Sequence, residues 1–225
     1  MLKVLRALSF FLLIQVLSSS GWAQLLPTGT GTKSVLSPER QEALVNRVRG
    51  VFDPSLIPSH LRHAYTTEVP RCATGTILEA VRDWDRLSFD TRTKLSTFFQ
   101  RPSNQRSYSS TSGKFLIHYD VSGLHKVDVQ DDDGNGIPDY VDLVAATFDD
   151  MWVREIDGLG YREPIDDGDG VYDVHIQQLG LQGVYGLAFP TGGFTSASHI
   201  QIDNNYTDNI FQTRGQDGVQ VTAAH

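Results

Sequence analysis

The stretch DDDGNGIPDYVD, residues 131–142, carries oxygen-bearing side chains at its first, third, fifth, ninth and twelfth positions: Asp131, Asp133, Asn135, Asp139 and Asp142. Gly136 stands sixth, where the chain must turn sharply, and Ile137 stands seventh, where a backbone carbonyl would face inward. Calcium takes roughly six to eight hard oxygen ligands, and alternate residues of a tight turn aim them at one centre. The spacing is that of an EF-hand-like calcium loop. Asp142 is shorter than the two-oxygen Glu that closes an EF-hand loop, and His125–Gln130 alternates apolar and polar residues like a strand. Pro138 follows the position through which paired loops join by backbone hydrogen bonds. The expectation is a single loop-then-helix site that binds calcium structurally, not a paired sensor; the bland alternative is a solvated acidic turn.

Working outward, Lys114–Tyr119 (KFLIHY) is strand-like. The helix after the loop should run from about Asp139 to Ile156, with Val141, Val144, Ala145, Phe148, Trp152 and Ile156 at helical spacing. Val171–Gln177 (VYDVHIQ) and Ser198–Asp203 (SHIQID) read as strands, and Gly183–Phe189 as a short strand or turn. Asp217–His225 looks like a helix being entered, with Asp217 as its cap. Toward the N-terminus, Ser37-Pro38-Glu39 opens a helix, Asp53–Pro70 reads as extended or looped, and Thr76 with Glu79 forms a capping-box pattern. A further helix is expected over Thr91–Phe99 with Asp90 as cap, and Arg101–Gly113 reads as a polar linker. The fold class expected is α+β: a separate helical unit (24–105), then a mixed strand/helix domain (106–225).

Residues 1–23 have the pattern of a signal peptide: Lys3 and Arg6, an apolar run Ala7–Leu17, and small residues at Gly21 and Ala23 before Gln24. The chain is therefore expected to be secreted or otherwise extracytoplasmic, with no membrane attachment after cleavage. Removing Lys3 and Arg6 leaves 17 basic against 27 acidic side chains. Residues 120–173 hold 16 acidic and 3 basic side chains, which argues against a nucleic-acid partner and favours bound divalent cations. The one cysteine, Cys72, excludes an internal disulfide framework.

A second acidic turn holds Asp166, Asp167 and Asp169, followed by Asp173. It is a candidate second calcium site, against the alternative of an ordinary Gly/Asp turn. His118, His175 and His199 lie within strand patterns, where packed or hydrogen-bonded histidines are the default. No G-x-S-x-G and no phosphate-binding glycine loop occurs, and no residue is assigned a catalytic role.

The run KFLIHYD, DDDGNGIPDYVD, YDVHIQ, SHIQIDNNY and VTAAH resembles a group of secreted bacterial zinc metallopeptidases of the zincin type. The resemblance covers about residues 70–225. In that group the sequence after the last strand enters a helix bearing H-E-x-x-H, and His225 matches its first histidine. A peptidase zinc needs three protein ligands and an open position, and the Glu takes the proton of the zinc-bound water. The chain is thus expected to end inside an incomplete zincin-like domain, inactive as given, with Zn2+ and a peptide or protein substrate belonging to a longer product. The resemblance also implies that residues 24–105 are a propeptide. Cys72, in VPRCATGT, is similar to the Pro-Arg-Cys stretch by which some such propeptides cap zinc with a thiolate, although Ala73-Thr74-Gly75 departs from it, and the favoured alternative is a buried, inert cysteine. The rival reading is a non-catalytic extracellular calcium-binding module.

Overall fold

The computed structural model describes residues 34–66, 73–190 and 197–225. The expected signal peptide and Cys72 lie outside the described residues. Helix α1 (Pro38–Phe52) starts as its sequence dictates: Ser37 Oγ accepts from Arg40 N at 3.4 Å and Pro38 sits in the first turn. Its buried stripe of Leu44, Val45 and Val48 packs with Ala80, Leu87 and Leu95.

Three local expectations fail for identifiable reasons. Asp53–Pro70 is not loop throughout: a 3-10 turn, Pro54–Leu56, leads to helix α2 (Ser59–Thr66). Pro54 and Pro58 stand at helix starts, where a missing N–H costs nothing, so the prolines initiate helices instead of breaking them. Helix α3 (Thr74–Arg82) begins ahead of Thr76, from Ala73, with no side-chain cap. Helix α4 (Phe89–Ser96) is capped by Ser88, whose hydroxyl accepts from Thr91 N at 3.2 Å; Asp90 instead pairs with Lys94 at 2.6 Å.

Five strands follow among the described residues: β1 (Arg106–Ser109), β2 (Phe115–Tyr119), β3 (Tyr172–Gln177), β4 (Gly186–Pro190) and β5 (Ser198–Asp203). They form one mixed sheet in the order β1-β2-β3-β5-β4. β2, β3 and β5 run parallel, while β1 and β4 are antiparallel edges. The expected linker 101–113 thus contains an edge strand. His125–Gln130 is not a strand and offers only a single bridge from Lys126 to Asp120.

One sheet face, with Phe115, Ile117, Tyr119, Val174, Ile176 and Ile202, packs on helix α5 (Asp139–Met151) and helix α6 (Gly215–Ala223). A π-helical turn, Trp152–Gly158, continues α5. α6 comes close because residue 218 is glycine: a Cβ there would lie 2.6 Å from the Tyr206 ring. On the other side, Leu187 and Phe189 of β4 pack with Val51, Ala73 and Ile77. Fully burying each of the Val, Ile, Leu and Phe side chains among these contributes about 1.5–3 kcal/mol. The N-terminal helices are therefore not a separate unit: Ser34–His225 is one compact body, and the fold is α+β.

Candidate metal sites

The loop 131–142 is anchored at both ends before any ion is considered. Val127 is buried in the core, Asp139 N donates to Gln130 O at 2.8 Å, and α5 starts at Asp139. Ile137 packs on the core, and the Tyr140 hydroxyl donates to Asp203 O, the end of β5, at 2.7 Å. Inside the loop, three carboxylates converge on Asn135. Its backbone N–H donates to Asp131 Oδ1 (3.1 Å) and Asp133 Oδ1 (3.0 Å). Its side-chain amide donates to Asp133 Oδ2 (3.1 Å) and Asp142 Oδ2 (2.9 Å). Gly136, at φ 86°, donates to Asp131 Oδ2 at 2.9 Å, a turn that a Cβ would strain. Asp139 is turned differently: its Oδ1 accepts from Asp132 N at 3.0 Å. The Asn135 amide thus bridges the carboxylates of positions three and twelve, while the loop acids do not form a group of three with ligand atoms all within 4.8 Å of one another. The Asp131, Asp133 and Asp142 carboxylates and the Ile137 carbonyl are hard oxygens, which fits calcium; Asn135 Oδ1 accepts from Ile137 N at 2.7 Å and would join them once the amide turns over. Residues that would hold the ion are Asp131, Asp133, Asn135, Asp142 and the Ile137 carbonyl, with Asp139 behind them. Tyr108 of β1 faces the same corner; burial first, then the charge of Asp142 and a hydrogen bond to it, raise its hydroxyl pKa.

The second acidic turn is divided. Asp166 Oδ1 accepts from Gly168 N at 2.6 Å and Asp169 Oδ1 from Val171 N at 3.0 Å, ordinary Asx turns. Asp167 pairs with Arg101 at 2.8 Å, a hydrogen bond that lowers its pKa. Asp173 is not part of the turn: it is buried on β3, where Oδ1 lies 2.6 Å from His118 Nε2 and Oδ2 lies 3.1 Å from Arg101.

His225 follows α6 and lines a cleft of about 510 Å3 with Tyr185, Gly186, Leu187 and Ala188 of the β4 segment and Thr222. Thr74, at the start of α3, closes the cleft from the other side, and its hydroxyl accepts from Ala188 N at 3.4 Å. Among the described residues, the single group of three His, Cys, Asp or Glu with ligand atoms within 4.8 Å of one another is His118, Asp173 and His175. His225 therefore has no described partners with which to fit a catalytic zinc, and no catalytic step is assigned to it.

In the sequence His118, His175 and His199 stand far apart, each in its own strand pattern. The register sets His118 beside His175 across β2 and β3, with the rings stacked at 4.3 Å. His199 meets His175 edge-on at 5.2 Å and stacks on Phe189 at 5.2 Å. Burial drives the His175 pKa down to about 2 and that of His199 to about 4, with neighbouring positive charge adding to the effect. The signal in the sequence was the every-second-residue placement of polar groups on β3 (Asp173, His175, Gln177) and β5 (His199, Gln201, Asp203), which marks a shared face.

No protein-family model, curated protein or solved structure matches the chain.

Proposed function

We propose that this chain is the calcium-binding N-terminal portion of an exported zinc metallopeptidase, with residues 24–105 acting as propeptide. The observation that carries the reading is the convergence of Asp131, Asp133 and Asp142 on Asn135, in a loop tied to both α5 and the end of β5. Calcium there would neutralise the most acidic part of the chain and hold the corner between sheet and helix. Two further features support the peptidase half. His225 borders a cleft running beside the antiparallel edge strand β4, and α3 lies against that strand. A helical segment that occupies the cleft's edge suits a propeptide. Peptidase activity is proposed only for a polypeptide that also carries the Glu and second histidine of the motif; the present residues supply calcium binding.

The test is to read the coding frame beyond His225 and assay the polypeptide it encodes. The proposal expects Glu-x-x-His to follow, and cleavage of an unfolded protein substrate that chelator and His225→Ala both abolish. A frame without that motif, or proteolysis indifferent to His225→Ala, would leave the non-catalytic calcium-binding module as the better reading.

A further inference from the structure

We propose that His118, Asp173 and His175 form a site for a divalent transition metal of the zinc class. It lies on the second face of the sheet, apart from the calcium loop and from the His225 cleft. The site begins from one unsatisfied atom. His175 is 1% exposed, and its Nε2 has no hydrogen-bond partner. Buried polar atoms are nearly always partnered, so an orphaned imidazole nitrogen calls for an explanation.

The other ring nitrogen fixes which form the imidazole takes. His175 Nδ1 lies 2.9 Å from Asn104 Oδ1, while the Asn104 amide nitrogen donates to Ile176 O at 3.3 Å. That second bond orients the amide, so Asn104 offers its oxygen to His175 and Nδ1 carries the proton. Nε2 is left with a lone pair. A histidine whose far nitrogen donates to an oriented oxygen is the usual support of a metal ligand.

One ligand atom each of His118, Asp173 and His175 lies within 4.8 Å of the other two. Asp173 Oδ2 is engaged by Arg101, whose charge is shared with Asp167, and Oδ1 remains for the ion. Oδ1 accepts from His118 Nε2 at 2.6 Å. On binding, that bond gives way to the ion, and the neutral His118 imidazole carries its proton on Nδ1 instead. The stacked His118 ring must also rotate, so that both lone pairs converge. Its side chain is 22% exposed, which leaves room for that motion and a path of entry. Two imidazoles and one carboxylate favour zinc, copper or nickel over calcium or magnesium, which prefer oxygen ligands alone.

The probe is Co2+, which substitutes for zinc and absorbs visibly when bound, titrated into the protein with calcium already present. The proposal expects one Co2+ per chain, with affinity at least about 10-fold weaker in His118→Ala and in His175→Ala. His225→Ala and the double variant Asp131→Ala/Asp133→Ala should bind Co2+ as the parent does. No Co2+ binding, binding indifferent to both strand histidines, or binding lost in His225→Ala would overturn it. Should the strand variants fail to fold, paramagnetic broadening in the unaltered protein decides. Resonances of residues 116–118 and 173–175 must be the first to vanish, and broadening centred on 131–142 or 215–225 instead would refute the site.

Discussion

The side-chain amide of Asn135 donates to Asp142 Oδ2 at 2.9 Å, joining the fifth and twelfth positions of the acidic loop. Asp139, at the ninth position, instead accepts from Asp132 N at 3.0 Å. The two acids differ in role. Asp142→Ala removes a carboxylate from the converging group, worth about 1.5–3 kcal/mol for a charged contact, so calcium affinity should fall roughly 10-fold to 100-fold. Asp139→Ala removes a loop brace and should weaken binding far less. Calorimetric titration of the two variants with calcium checks the order, and equal losses would place Asp139 among the direct ligands.

A second prediction concerns Asp203, which is fully buried at the end of β5. Its Oδ2 accepts from Leu179 N (2.8 Å) and Gly180 N (2.7 Å), and its Oδ1 from Asn205 N (3.0 Å) and Tyr206 N (2.7 Å). One carboxylate therefore satisfies four backbone donors and holds Tyr206 at φ 52°. Asp203→Ala leaves those donors buried without partners, and about 3–5 kcal/mol of stability should be lost in urea unfolding. Asp203→Asn, which keeps one acceptor oxygen, should lose less.

Alkaline pH should destabilise the fold through two tyrosines. Burial is the first cause raising the pKa of both Tyr140 and Tyr206 above the ordinary 10.0. Each hydroxyl also donates to a carbonyl, Tyr140 to Asp203 O and Tyr206 to Tyr185 O, both at 2.7 Å. The folded chain keeps these protons above pH 10, where the unfolded chain releases them. The unfolded state then binds fewer protons, so stability falls as pH rises past 10 and is unaffected by these groups below it. Tyr140→Phe should flatten the decline in melting temperature between pH 10 and the folded pKa, measured by circular dichroism.

Much of the fold was legible because its signals are local. The loop spacing, the Ser37-Pro38 helix start, and the alternation in KFLIHY, YDVHIQ and SHIQID each depend on neighbours in sequence. What could not be read depends on distant pairing. Asp173 looked like the end of an acidic turn until the parallel register of β2 and β3 set His118 beside His175 and brought Asp173 to His118. Asp203 reads in sequence only as the end of a strand, and its role depends on the backbone of residues 179–180, which the fold brings beside it. α2 was missed because eight residues behind two prolines carry too little periodicity to announce a helix. The helical region was read as separate because nothing in its sequence shows that Val51, Ala73 and Ile77 pack with Leu187 and Phe189 of β4.

The most direct measurement is the melting temperature of the protein with and without calcium, in parallel with Asp131→Ala/Asp133→Ala. Extracellular calcium sites bind at about 0.1–1 mM, so about 10 mM calcium reaches up to about 100 times the dissociation constant. Binding to the folded state alone then adds up to about 2.7 kcal/mol, which for a domain of this size raises the melting temperature by roughly 5–10 °C. The account predicts that rise in the parent protein and its loss in the double variant. An unchanged melting temperature in the parent, or an equal rise in the variant, would contradict the assignment of residues 131–142 as a calcium site.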